Sequence, residues 1–173
     1  MSLLLGLYCC EGPIAGAQVQ VESRPLMRNS TYAPLTTVLT DGSGTFVVPV
    51  PRGPSRVFRL RYASSEASAE VIVPAPVRVR VSPTKTRNGK TVRFTGSIPG
   101  TAATTRVELQ ARAGRRWVTF RTATVSRGRF RARYKFTGTT TSQRYRFRAV
   151  VRRDPNFPYA AGTSPIVKVL VRP

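Results

Sequence analysis

The chain has 173 residues, 29 Lys and Arg against seven Asp and Glu, a formal net charge of +22 and no histidine. Without an imidazole there is no Ser-His-Asp triad and no His-bearing metal site, and the only two cysteines, adjacent at Cys9 and Cys10, cannot make a four-thiolate zinc site. A hydrophobic content of 40% is enough to build a core, which excludes a wholly disordered chain.

In chain order, the first half predicts strands over residues 3–9, 17–23, 35–40, 45–50, 57–62 and 67–73. No stretch carries a sustained helical period. The opening apolar residues read as a first strand. They lack the basic leader and the long apolar run of a signal peptide, and Tyr8 and Cys9 stand where a lipoprotein site needs small residues. Strand alternation places one of Cys9 and Cys10 inward and one outward; two inert thiols and an intermolecular or redox disulfide are the alternatives. Gly12-Pro13-Ile14-Ala15-Gly16-Ala17 and Thr40-Asp41-Gly42-Ser43-Gly44-Thr45 mark turns. The polar stretch from Arg24 to Pro34 reads as a loop. Residues 1–76 carry six arginines and five acids, a net of +1.

At Val73-Pro74-Ala75-Pro76-Val77 the character changes. The two prolines predict a stiff connection, and the boundary separates a domain at 1–74 from one at 77–173. Residues 77–173 hold the other 23 cations against Glu108 and Asp154 alone, a net of +21. Seven strands are expected there, over 77–81, 92–96, 106–112, 117–122, 129–136, 144–149 and 167–171. Most show period-two alternation, most plainly Arg129-Phe130-Arg131-Ala132-Arg133-Tyr134-Lys135-Phe136. Asn88-Gly89, Pro99-Gly100, Ala113-Gly114, Arg127-Gly128 and Ala161-Gly162 supply turns. Phe94, Leu109, Phe130, Tyr134, Tyr145 and Phe147 are the expected core. Trp117 reads as sandwich core, with an exposed sugar-stacking ring beside arginine as the alternative. The fold class is therefore all-β, two consecutive antiparallel β-sandwiches.

The outward rows are basic. Arg129, Arg131, Arg133 and Lys135 share one strand and Arg144, Arg146 and Arg148 another, with Arg106, Arg112 and Lys168 expected nearby. These ten residues form the candidate site for a nonspecific polyanion: acidic polysaccharide, wall phosphate polymer or nucleic acid. Guanidinium forks suit phosphate and carboxylate. The competing reading is a plain solvated face. The aromatics alternate inward, so no base-stacking platform is expected.

Two resemblances join these patterns. The Gly12–Val21 and Thr40–Phe46 motifs resemble the carboxypeptidase regulatory-like domain, a transthyretin-like sandwich, over residues 3–73. Val79-Arg80-Val81-Ser82-Pro83, Asn88-Gly89-Lys90-Thr91-Val92-Arg93-Phe94-Thr95-Gly96, Trp117 and Gly128-Arg129-Phe130 are similar to bacterial immunoglobulin-like repeats. Together they imply a segment of a longer secreted or surface protein of the kind found in actinobacteria. Its implied role is non-catalytic, as spacer, display or adhesion unit, with no cofactor and no membrane span. Polyanion binding by the second domain and service as an accessory domain of a secreted enzyme are the alternatives. The regular alternation and large aromatic set of the second half predict that it folds alone and is the sturdier of the two.

Overall fold

A computed structural model describes residues 2–100 and 105–173. The chain is all-β and divides into two compact units, Met1–Val73 and Pro74–Pro173. Among the described residues no helix is long and apolar enough to cross a membrane.

The first unit contains β1 (Ser2–Gly6), β2 (Tyr8–Cys9), β3 (Gly12–Pro13), β4 (Gln18–Pro25), β5 (Ala33–Leu39), β6 (Thr45–Pro49), β7 (Arg56–Tyr62) and β8 (Ser65–Val71). An antiparallel sheet in the order β5-β4-β7-β8 faces the pair β1-β6. Val19, Val21, Phe58, Leu60 and Val71 from the larger sheet meet Phe46 and Val48 in one core, with Leu3 and Leu5 packed on it. The strand expected over 3–9 is broken at Leu7. Its N–H donates to the Gly44 carbonyl at 2.8 Å and its carbonyl accepts from Ile14 N–H at 3.0 Å. Gly44 sits at φ 72°, and a Cβ there would lie 2.6 Å from the Leu7 oxygen, so the crossing needs glycine.

Two further expectations change here. The loop read from Arg24 to Pro34 is shorter, because β4 runs to Pro25 and β5 begins at Ala33. Ser30 Oγ ties the remainder together, reaching the Pro25 carbonyl at 2.7 Å and accepting from Arg24 at 3.1 Å. Both Cys9 and Cys10 are exposed. Alternation fails there because β2 ends at Cys9 and the chain turns.

The second unit contains β9 (Arg78–Ser82), β10 (Lys85–Arg87), β11 (Thr91–Ser97), β12 (Arg106–Ala113), β13 (Arg116–Thr124), β14 (Arg129–Lys135), β15 (Gln143–Val151), β16 (Gly162–Thr163) and β17 (Val167–Arg172). One sheet has the order β14-β11-β9; the other has the order β10-β17-β15-β12-β13, with β16 added on β15. All pairs are antiparallel except β10 with β17. The chain leaves the small sheet after β9, passes Pro83 and joins the large sheet as β10, giving immunoglobulin-like topology. The two shortest strands, β10 and β16, have too few residues to show a period and went unforeseen in the sequence.

Phe94, Val92 and Phe130 from the small sheet pack on Val107, Leu109, Phe147 and Val169 from the large one. The Phe94 and Phe147 rings meet across the sandwich at 5.0 Å. Tyr134 and Tyr145, expected in the core, are partly buried at its margin. The stretch expected to be a stiff connection packs into this unit: Ala75 and Val77 are buried in its core. Ala75 N–H, the one donor between the two prolines, bonds the Ala160 carbonyl at 3.1 Å.

Candidate polyanion-binding face

Because the inner faces of the two sheets form one core, their outer faces point to opposite sides of the sandwich. That divides the ten candidate residues. Arg129, Arg131, Arg133 and Lys135 lie on β14, in the small sheet. Arg106 and Arg112 on β12, Arg144, Arg146 and Arg148 on β15, and Lys168 on β17 lie in the large sheet. The single patch expected from the sequence is two faces. Alternation fixes which side of a strand is wet but carries no information on which sheet the strand joins.

The small sheet gathers cations that the candidate set omitted. Arg78 and Arg80 project from β9 and Arg93 from β11, and all three are exposed like the four on β14. Register aligns them in rows. Ser97 on the central strand stands between Arg78 and Arg129, Thr95 between Arg80 and Arg131, and Arg93 between Ser82 and Arg133. Thr91 faces Lys135 in the last row. Arg121, from the edge of β13, lines the same depression as Arg93, Arg131 and Arg133. Every outward side chain of this sheet is thus a cation or a hydroxyl. Successive rows are about 6.8 Å apart, and β9 and β14 are about 10 Å apart. Val92-Arg93-Phe94 held the signal for Arg93 in its alternation, but nothing in the sequence joined it to β14.

Among the described residues, the ion pairs lie elsewhere. Arg59 donates to Glu22 at 2.7 Å and Arg61 to Glu66 at 3.0 Å, both in the first unit. In the second unit, Glu108 takes the guanidinium of Arg152. Strands β9, β11 and β14 contain no carboxylate at all. Arg93 and Arg133, directly opposite with no counterion, repel.

The outer face of the large sheet is built differently. Glu108 accepts from Arg152, Thr119 and Gln110; these bonds, with Arg152 foremost, hold its carboxyl below the usual glutamate range against a desolvation that raises it. Gln110 Oε1 accepts from Arg148 Nε at 2.8 Å. The Arg148 guanidinium lies 4.3 Å from the Trp117 ring centre and that of Arg112 5.5 Å. Trp117 is therefore a half-buried outer-face residue, not core. A register shift opposite Leu109 and Gln110 explains this. It leaves Phe120 unpaired with β12 and turned inward onto Tyr134 at 4.9 Å, while Trp117 stays opposite Arg112. On this face Arg112, Arg148 and Arg152 are engaged by acceptors or a ring, while Arg146 stands exposed opposite Lys168; the small-sheet rows carry no such acceptor.

No family model matches the chain, and no curated protein matches it. Similar solved structures include a four-repeat stretch from the extending region of a large adhesion protein, 13% identical, covering 91% of this chain and 42% of that one, with a TM-score of 0.47. The adhesin InvE of Yersinia pseudotuberculosis is 13% identical over 98% of this chain and 53% of its own, with a TM-score of 0.41. The chicken interferon gamma receptor alpha chain is 12% identical over 98% and 92%, with a TM-score of 0.43. The chain thus spans about half the length of the two solved adhesion-protein chains it is similar to.

Proposed function

We propose that the chain is a non-catalytic β-sandwich segment of a surface or secreted protein, acting as a spacer, display or adhesion unit, and that its second unit holds acidic polymers through the outer face of β9-β11-β14. The observation that carries the binding reading is the composition of that face: seven cations in register, no carboxylate, and hydroxyls between them. Such a face condenses counterions, and a polyanion that replaces them gains the entropy of their release. The surface placement is supported by the sequence resemblance to bacterial immunoglobulin-like and carboxypeptidase regulatory-like modules. The absence of His from the sequence removes the commonest general base and fits a binding role.

The test is binding of the full chain to heparin, inorganic polyphosphate and duplex DNA at two salt concentrations. Affinity is expected to drop steeply, by tenfold or more on a fourfold rise in salt, as several contacts are screened. Binding indifferent to salt, or none at low salt, contradicts the reading.

A further inference from the structure

The polyanion reading leaves open what repeat the face is matched to, and the register supplies it. Two rows have the same form, a hydroxyl flanked by two arginines: Arg78–Ser97–Arg129 and Arg80–Thr95–Arg131. The flanking side chains start about 10 Å apart. Guanidinium groups from both sides can therefore converge over the central hydroxyl, presenting charge-assisted donors to one tetrahedral oxyanion. The next row, Ser82–Arg93–Arg133, repeats the pattern with its cation in the centre. Row follows row every ~6.8 Å along β11.

Resting on the polyanion reading, we propose that this face is a phosphodiester ladder, each row taking one phosphate of an extended chain that runs along β11. The spacing selects the polymer. An unstacked, extended nucleic acid strand spaces its phosphates at about twice the ~3.4 Å axial rise that stacking imposes in a duplex. Its backbone repeat, phosphorus–oxygen–carbon–carbon–carbon–oxygen–phosphorus, is also that of a poly(glycerol phosphate). Inorganic polyphosphate joins phosphorus to phosphorus through one oxygen and is far too closely spaced to give one phosphate per row.

The face has no side chain set aside for reading a base, because its converging arginines are taken by phosphate. Its outward side chains are Arg, Lys, Ser and Thr, with no aromatic ring for stacking and no Asn, Gln, Asp or Glu for a base edge. The partner is the backbone alone, so a polymer without bases binds as well as one with them.

The experiment uses the full chain with four probes of matched total charge: a thymidine oligomer, an abasic oligomer of the same length, inorganic polyphosphate and heparin. A poly(glycerol phosphate) arm separates a wall-type source from a nucleic acid source. The abasic and thymidine oligomers and the poly(glycerol phosphate) are expected to bind equally, and each several-fold more tightly than the other two probes. A variant carrying Thr95→Ala and Ser97→Ala keeps every charge. It should lose about tenfold in affinity for phosphodiester chains and nothing for heparin. Thr95→Ser, which keeps the hydroxyl, should bind as the unaltered chain does. If affinity follows charge density alone and the hydroxyl variant is unaffected, the ladder is wrong and general polyanion binding stands. A thymidine oligomer that binds better than the abasic one overturns the backbone-only claim. If no probe binds at low salt, both readings fall.

Discussion

The two outer faces of the second sandwich are both rich in arginine, and only the large-sheet face bonds part of its set. On the large sheet, Glu108, Gln110 and Trp117 engage Arg152, Arg148 and Arg112. On the small sheet, seven cations face one another across serine and threonine with no acid in any of the three strands. The difference is made by very few residues. One glutamate, one glutamine and one tryptophan bond the β12–β13 side of the large-sheet face, while Arg146 still stands opposite Lys168 on its other side. Charge counts per strand do not reveal this; cross-strand neighbours do.

The widest break in the comparison comes from the core that both faces share. Phe147 is 1% exposed and touches Phe94 and Phe120. Phe147→Ala should cost about 3–5 kcal/mol and weaken both sheets together in thermal unfolding. A loss under ~1 kcal/mol would mean that the sheets do not share this core. Gly96→Ala acts on one sheet only. A Cβ at Gly96 would lie 2.1 Å from the Phe130 ring and 2.3 Å from the Arg78 carbonyl. Overpacking of this kind costs about 1–3 kcal/mol. Amide exchange should quicken in β9, β11 and β14 before the large sheet; uniform quickening would contradict that.

Glu108→Gln sharpens the contrast from the other side. It removes the acid that anchors Arg152, at a cost of about 1 kcal/mol or less given the exposure of the partner. The pH dependence has a defined sign. Glu108 titrates lower in the folded chain than unfolded, so its stabilisation is complete above the ordinary glutamate range and is lost as pH falls through the lowered folded value. The variant should show a shallower loss of stability on acidification than the unaltered chain; an unchanged slope would show that Glu108 contributes nothing. Smallest is Arg93→Gln, which relieves the facing Arg133 and should stabilise by a few tenths of a kcal/mol at low salt. The gain should vanish at high salt. Arg148→Gln on the other face, which gives up the Gln110 bond and the Trp117 ring, should give no comparable gain.

Much of this fold was legible because strand alternation is a local signal. Phe130 and Ala132 inward, Arg129, Arg131 and Arg133 outward, follow from the period of a strand. The turns at Asn88-Gly89 and Arg127-Gly128 were legible because glycine takes the positive φ found there, 78° and 73°. Sheet membership was not legible. Nothing local assigns β14 to β11 and β9, or β15 to β12 and β17, since those pairings join residues far apart in the chain. For the same reason Arg78, Arg80 and Arg93 stayed outside the expected site, and Trp117 was misplaced by a register shift that only the partner strand reveals.

The most direct test of the binding face compares two charge-matched variants of the full chain. One carries Arg80→Gln, Arg93→Gln and Arg131→Gln on the small sheet. The other carries Arg144→Gln, Arg146→Gln and Lys168→Gln on the large sheet. Each loses three charges, so net charge alone cannot separate them. Titration with an abasic phosphodiester oligomer at low salt should show the first variant weaker by about 30-fold or more and its salt slope reduced by two to three contacts. The second variant should stay within about threefold of the unaltered chain, as expected for the loss of long-range attraction alone. Equal losses in both variants would show that the protein binds through net charge and that the small-sheet face is no site.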